Sequence, residues 1–388
     1  MAMSKGKVVV GMSGGVDSSV AAYLLKEKGY EVVGVTMRMW DPADLIPKRD
    51  AAGNPIPIPE VSADAKRVAE HLGIDFHVLD FRNEFRKKVM DYFVKEYLNG
   101  RTPNPCVACN RGIKWEALLK WADSVGADGI ATGHYARIEK LSNGRYSLRR
   151  AASASKDQTY ALYGLTQEQL ARTQMPVGEF TKEEIRDMAR MAEIPVAEKK
   201  DSQEICFIPD KDYAGFIEHV YGKKMDKGNF VSSRGEILGT HKGLFHYTIG
   251  QRKGLNLSMG HPVFVGELRP KENEVVIVEN EELFKKTVYA ERVNFMSVED
   301  LDGEMRAVAK IRYNHKGSPC TLKKKSDGTV ICRFDEAQRA ITPGQSLVFY
   351  DGDYCMGGGI ITGGECSLPF FQKVSRGRKY GFRFRKTV

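Results

Sequence analysis

The chain has 388 residues, too many for one compact core, so two or three domains are expected. Hydrophobic residues make up 42% and charged residues 28%, a globular balance, and no apolar run approaches the ~20 residues that a membrane helix needs. The formal net charge of +9 favours a polyanionic partner through phosphate neutralisation, without identifying one. Seven cysteines, an odd number, and a chain that reads as buried strand by Lys7 without a leader-like segment lead to the expectation of a reducing cytoplasm. There, thiols serve catalysis or metal binding rather than a disulfide framework.

Strands and helices alternate at the start. Lys7 to Gly11 is an apolar strand, Ser18 to Lys28 carries Val20, Ala21, Leu24 and Leu25 at helical spacing, and Glu31 to Met37 is a second strand. Such a unit predicts a right-handed crossover in a parallel sheet. The alternation goes on with a helix at 62–72, a strand at 76–80, helices at 83–98 and 115–125, and a strand at 129–132. Between Asp41 and Glu60 the stretch has no period and reads as a surface loop. Beyond residue 210 comes one more helix, Asp212 to Tyr221, and then short strands broken by Gly, Pro and Asn. Segments 306–313, 319–325, 329–334 and 345–350 predict strands of a small β-barrel or sandwich, with Ser326-Asp327-Gly328 as a hairpin turn. The last sixteen residues, Lys373 to Val388, hold seven basic side chains and no acid, as an RNA-backbone contact or a disordered tail would.

The segment Gly11-Met12-Ser13-Gly14-Gly15-Val16-Asp17-Ser18-Ser19 joins the first strand to the first helix. A phosphate chain needs inward-turned N–H groups, small residues for close approach and the positive end of a helix, and this loop offers all three. Ser18 or Ser19 stands where a helix wants its cap. Asp17 is a poor neighbour for phosphate and is read as a magnesium holder or as an orienter of the loop. The Lys of a Walker A motif is missing, which excludes that class of kinase and GTPase. The loop resembles the PP-loop of N-type ATP pyrophosphatases, which split ATP between the α- and β-phosphates and adenylate a carbonyl oxygen.

Two cysteine segments narrow the class. Cys109, in Asn104-Pro105-Cys106-Val107-Ala108-Cys109-Asn110-Arg111-Gly112-Ile113-Lys114, is placed by the spacing at a helix N-terminus near basic side chains, which would lower its pKa. Cys206, in Asp201-Ser202-Gln203-Glu204-Ile205-Cys206-Phe207, read by itself is a buried structural thiol. Cys320, Cys332, Cys355 and Cys366 lie in strand-like or glycine-rich segments and are expected to pack in cores. His134, at a strand end in Thr132-Gly133-His134-Tyr135-Ala136, is by itself a structural histidine.

Six segments follow in order: the glycine loop, the Asn104–Lys114 stretch, Thr132–Ala136, Lys156-Asp157-Gln158-Thr159-Tyr160, Asp201–Phe207 and Tyr247-Thr248-Ile249-Gly250-Gln251-Arg252-Lys253-Gly254. Together they are similar to the bacterial tRNA-specific 2-thiouridylase family over nearly the whole chain. The resemblance implies an α/β Rossmann-like PP-loop domain (residues 1–210), a small central domain (211–285) and a C-terminal β-barrel (286–388). It implies ATP-dependent thiolation at C2 of a wobble uridine. Gly11, Met12, Ser13, Gly14, Gly15, Val16, Asp17, Ser18, Met37 and Gly133 would contact ATP, with Mg2+ accompanying it. Cys206 would carry the persulfide and Cys109 would resolve it by disulfide formation. Lys156, Asp157, Gln158, Arg312, Tyr313, His134 and Gln345 would touch tRNA, and Asn104 and Pro105 would border the target base. Lysine, glutamate and glutamine tRNAs are the expected partners, with a cysteine desulfurase or sulfur-relay protein as donor and no membrane.

Many family members carry Asp where this chain has Cys106. Cys106 then either supplies a thiol–thiolate pair in its place, or joins Cys109 and Cys206 as ligands of a [4Fe-4S] cluster; the persulfide reading is preferred. Two other functions stay open from the residues: a PP-loop synthetase adenylating a small metabolite, and a non-catalytic RNA-binding barrel protein with a nucleotide-sensing domain. Both leave the two cysteines without a task.

Overall fold

A computed structural model describes residues 4–41, 62–200 and 205–365. The loop expected at 41–60, Cys366 and the basic C-terminal tail lie outside the described residues, apart from Asp41. Among the described residues no helix is long and apolar enough to cross a membrane.

The first body is a five-stranded sheet in the order β3-β2-β1-β4-β7, parallel throughout. Its strands are β1 Lys7–Gly11, β2 Glu31–Arg38, β3 Asp75–Asp80, β4 Gly129–Thr132 and β7 Thr173–Gln174. The hairpin β5 Ala136–Lys140 and β6 Tyr146–Arg150 leaves this sheet for another. β1 is central because Val8, Val9 and Val10 are all buried: Val9 packs on one face and Val8 and Val10 on the other, the alternation a strand covered on both sides requires. Helix α1, Val16–Glu27, covers the second face with Val16, Val20, Ala21 and Leu25, and α2, Ala63–Leu72, packs beside it. The chain runs from β1 to β2 on one side and reaches β4 on the other. A topological switch point, with its crevice at the strands' C-terminal ends, therefore lies between β1 and β4.

The helix expected at 115–125 begins ten residues earlier. Pro105–Cys109, a π-helical stretch Asn110–Trp115 and Glu116–Ser124 run on continuously. Asn104 caps the start, accepting from the Cys106 and Val107 N–H groups at 3.1 and 3.3 Å, with Pro105 at the first helical position. Gly112 and the extra residue of the wider turn break the 3.6-residue period, which hid this first part.

The middle body is a four-stranded sheet ordered β10-β11-β8-β9, from β8 Gly228–Ser232, β9 Ile237–His241, β10 Phe264–Arg269 and β11 Glu274–Val278. Phe230, Leu244, Tyr247, Val265, Val275 and Ile277 form its separate core. The last body is a closed antiparallel barrel, β12-β15-β14-β13-β16-β17, sealed by pairing of β12 with β17. Its strands are β12 Phe284–Phe295, β13 Glu304–Lys310, β14 Ser318–Lys324, β15 Val330–Arg339, β16 Ser346–Asp351 and β17 Tyr354–Glu365. The four strands expected from the sequence are β13 to β16, within a few residues of their predicted ends. The Asp327-Gly328 turn joins β14 to β15, with Gly328 at φ +85°. Cys320, Cys332 and Cys355 are fully buried packing residues, as expected.

The barrel is not a separate bead. β6 pairs with β17, so the β5–β6 hairpin extends the barrel's sheet. Met296, Val348, Tyr350 and Cys355 share one core with Trp115, Leu118, Leu148, Tyr160 and Leu162 of the first body.

Candidate functional site: a phosphate loop and three thiols

At the C-terminal end of β1 the chain turns through Met12 to Gly15 into α1. Thr36 of β2 pins the turn by donating to the Met12 carbonyl at 2.8 Å. Gly14 adopts φ +69°, a left-handed conformation that glycine takes without steric cost. The expected serine cap is not there: Gly15 is the N-cap residue, and no side chain caps the helix. Ser18 and Ser19 lie inside the first turn and donate back to the Gly15 carbonyl at 3.2 and 2.8 Å. The side chain of a residue three or four positions into a helix reaches back to the capping carbonyl, not to the N–H groups ahead of it. The first-turn amides are thus left without a side-chain partner at the positive end of α1, the arrangement an anion needs.

Gly133, after β4, crosses the mouth of this loop. A methyl built on it would stand 2.5 Å from the Ser18 nitrogen, so only glycine permits the approach. Met37 packs beside Gly11. Two lysines that the sequence did not single out also reach the loop. Lys182 is buried and its Nζ lies 2.6 Å from Asp17 Oδ1, which also accepts from the Tyr135 hydroxyl at 2.7 Å. Lys199 donates to the Gly14 carbonyl at 2.9 Å and pairs with Asp64. Both lysines come from the stretch between β7 and Cys206: Lys182 opens the helix Lys182–Met191 and Lys199 follows it, and their local pattern gives no signal of the loop. Asp17 with an ammonium and a phenol on one oxygen is an orienter of the loop. Among the described residues no three His, Cys, Asp or Glu side chains are gathered to hold a metal ion.

The cysteines meet some way along the same edge. Cys109 packs in the cluster that holds Phe207 and Ile208, the residues just after Cys206, together with Phe85, Phe93 and Phe216. Cys106, Cys109 and Lys114 are all close enough to Cys206 to act on its charge. This proximity corrects the lone reading of Cys206 as a buried structural thiol: it is exposed, as is Cys106, whereas Cys109 is buried. The anchors are the apolar flanks: Ile205, Phe207 and Ile208 sink into the cluster, leaving the thiol between them at the surface.

The second correction concerns acidity. Cys109 is the fifth residue of its helix, a turn past the N-terminal amides, and burial pushes its thiol up to about 11 while Lys114 only partly opposes this. Crowding by protein raises Cys206 to about 12, with Cys109 and Cys106 adding to the rise and Lys114 and a hydrogen bond from the Trp40 side chain opposing it. Cys206 offers surface to solvent yet is enclosed on its other sides; the surface decides access and the enclosure decides charge. Cys106 is raised as well, by burial first. Among the described residues, Cys106, Cys109 and Cys206 are not gathered as a set of metal ligands.

The remaining candidates form the rim. His134 accepts from or donates to the Thr132 hydroxyl at 2.8 Å and lies against Trp115; burial, with Lys114 adding, holds it well below its ordinary pKa, so its ring is neutral. The Asp157 carboxylate is spent internally, accepting from Ala151 N–H and the Thr159 hydroxyl. The Gln158 side chain accepts from Tyr135 N–H. Tyr313 is exposed, donates to the Asp157 carbonyl at 3.2 Å and feels the Cys106 charge, which puts a barrel loop beside the thiols. Arg312 is exposed and donates to the Arg339 carbonyl. Gln345 donates to the Thr102 carbonyl at 2.9 Å, tying the barrel to the loop that carries Asn104 and Pro105.

A parallel sheet with an uncapped Gly/Ser loop at its switch point defines the PP-loop class of nucleotide-binding domains, here joined to two β domains and a thiol site. Residues 6–210 match the tRNA methyl transferase HUP domain, 214–279 the tRNA methyl transferase PRC-barrel domain and 285–361 the aminomethyltransferase beta-barrel domain. The tRNA-specific 2-thiouridylase MnmA of Lachnoclostridium phytofermentans is 57% identical over 357 residues, 92% of this chain and 99% of its own length. That of Clostridioides difficile is 52% identical over 362 residues, 93% of this chain and 99% of its own. The chain belongs to the tRNA-specific 2-thiouridylase family. Among solved structures, a 4-thiouridine synthetase–RNA complex with bound ATP aligns at TM-score 0.34 and 18% identity, covering 56% of this chain and 50% of that one. At that distance it carries no functional argument.

Proposed function

We propose that this enzyme converts C2 of the wobble uridine of tRNA to a thiocarbonyl, using ATP and a persulfide on Cys206. The observation that carries the proposal is the approach of Cys206 to Cys109 across about a hundred residues of sequence, on the body that holds the phosphate loop. A synthetase of small metabolites has no use for that pair.

The uridine C2 oxygen is a poor leaving group. Its attack on the α-phosphorus of ATP expels diphosphate and leaves it as a bound AMP, with the first-turn amides of α1 and the Gly11–Ser18 backbone holding the phosphates. Met37 and Gly133 border the nucleotide. Magnesium would arrive with the phosphates, since no set of metal ligands is gathered for it among the described residues. The terminal sulfur of the Cys206 persulfide then attacks C2, and AMP departs with its electron pair on the former uridine oxygen. Cys109 thiolate attacks Cys206 Sγ; a Cys109–Cys206 disulfide forms, the sulfur–sulfur bond to the substrate breaks, and the electron pair becomes the thiocarbonyl. The two cysteines are oxidised as the transferred sulfur is reduced, and an external thiol resets them. Cys106 stands beside the pair as a proton carrier.

Asn104 and Pro105 border the target base, and His134, Lys156, Asp157, Gln158, Arg312, Tyr313 and Gln345 contact tRNA or position the groups that do. The substrates are lysine, glutamate and glutamine tRNAs in the cytoplasm, with sulfur drawn from a cysteine desulfurase or a relay protein. The test incubates unmodified tRNA with ATP, a cysteine desulfurase and the enzyme. Thiouridine forms with the wild type and is lost in Cys109→Ala and Cys206→Ala; thiouridine from either variant at the wild-type rate would overturn the mechanism.

A further inference from the structure

A pocket beside the thiol helix is built from several distant stretches of chain, and apart from Asn104 its lining has no part in the chemistry above. Lys88, Tyr92, Asn104, Arg111, Tyr163 and Arg292 are among its lining residues. Arg111 follows Cys109 by two residues and lays its stem along Gly164, where an added methyl would touch it at 3.6 Å. Arg292 comes from the barrel. It has φ +52°, rare for a residue with a side chain, in a bulge where the register of β12 with β17 slips between Glu291 and Asn294. Asn294 pins that bulge to the first body, donating to the Tyr163 and Leu165 carbonyls at 2.7 and 3.0 Å.

Charge in the pocket is unbalanced. Lys88 and Glu116 neutralise one another at 2.8 Å. Among the described residues no carboxylate pairs with Arg111 or Arg292. Both are near enough to act on the pocket's phenols, Arg111 on Tyr163 and Arg292 on Tyr92. Two unpaired guanidinium forks facing one recess, one aimed there by a strained bulge, fit a tetrahedral oxyanion better than any neutral ligand. Asn104 belongs both to this wall and to the helix start that holds the thiols.

We propose that the pocket binds a backbone phosphodiester of the tRNA next to the target uridine, with Arg111 of the catalytic body and Arg292 of the barrel gripping one phosphate between them. This rests on tRNA being the substrate. It gives the barrel a task at the site: the base is set against the thiols only when both bodies hold the adjoining phosphate.

The test measures tRNA binding to Arg111→Gln, Arg292→Gln and the double variant across a salt series, with thiolation kinetics alongside. Each single change should weaken binding about ten-fold, as loss of a charge-assisted contact does. The slope of log K against log salt should fall by about one phosphate contact in total, and the double variant should be less than multiplicative, because both forks hold the same group. The KM for ATP and the thermal melting temperature should stay put. Unchanged tRNA affinity and slope, or an effect on the ATP KM instead, overturns the proposal and assigns the pocket elsewhere. If the wild type neither binds nor thiolates tRNA, the substrate reading itself fails; if the wild type works and the variants match it, only the pocket does.

Discussion

At the residue scale the thiols decide the behaviour with pH. The proposed mechanism needs a nucleophilic thiolate from Cys109, yet its pKa of about 11 leaves it almost wholly protonated at neutrality. The disulfide-forming step should therefore quicken nearly ten-fold per unit between pH 7 and 9, measured as single-turnover thiouridine release from persulfide-loaded enzyme. A flat profile would mean that another step limits, or that Cys109 ionises far lower with substrate bound. Stability has the opposite sign. Folding holds Cys109 and Cys206 above the ordinary thiol value of 9.0, so the unfolded chain releases those protons first. Stability is intact below about pH 9 and declines as pH rises toward 11 to 12, which urea titrations at pH 8 and pH 10 would detect. Cys106 is exposed beside them, and in its proposed role of proton carrier it should be replaceable: Cys106→Asp keeps thiolation, whereas Cys106→Ala slows it by about 10² or more. An alanine variant as fast as the wild type would remove Cys106 from the mechanism.

At the scale of elements, two joints hold the site. Asn104 satisfies two amides at the head of the thiol helix; Asn104→Ala should cost about 1 kcal/mol by chemical denaturation and lower turnover as the helix start loosens. Gly133 is the closer contact. Gly133→Ala forces a methyl to 2.5 Å from the Ser18 nitrogen, so the loop must shift and the KM for ATP should rise at least ten-fold while the protein stays folded. Normal ATP use by that variant would show that the loop's position does not set nucleotide affinity. The same scale shows which elements were legible. The first strand, helix and second strand were plain because Val8, Val9 and Val10 precede a glycine turn and a helical spacing of apolar residues. β17 was not: Gly357, Gly358, Gly359, Gly363 and Gly364 erase any strand pattern. At Gly358 the reason is a close neighbour: a methyl there would press within 2.7 Å of the Tyr163 ring and the Leu347 carbonyl. Strand glycines of this kind record a close neighbour that the local sequence does not contain.

At the scale of the whole molecule, the barrel and the PP-loop body share a core. Tyr160 donates to the Ser346 carbonyl at 2.7 Å, Thr159 and Tyr350 exchange a hydrogen bond, and Met296, Val348 and Tyr350 pack on Trp115 and Leu162. A chain cut after residue 285 would expose that apolar face. It should aggregate or fail to accumulate, as light scattering of the purified fragment would report, and a well-behaved monomeric fragment would contradict the shared core. The motifs themselves settled the family and pointed to the phosphate loop and to the two cysteines proposed to work, since each is a local string whose residue types are fixed by backbone geometry or by chemistry. The tertiary structure alone decided that Cys206 is exposed beside Cys109, that Lys182 and Lys199 brace the loop, that the thiols are weakly acidic, and that an arginine of the barrel faces one of the catalytic body. Burial, charge coupling and the meeting of distant strands depend on distances in space, and a one-dimensional pattern does not carry them.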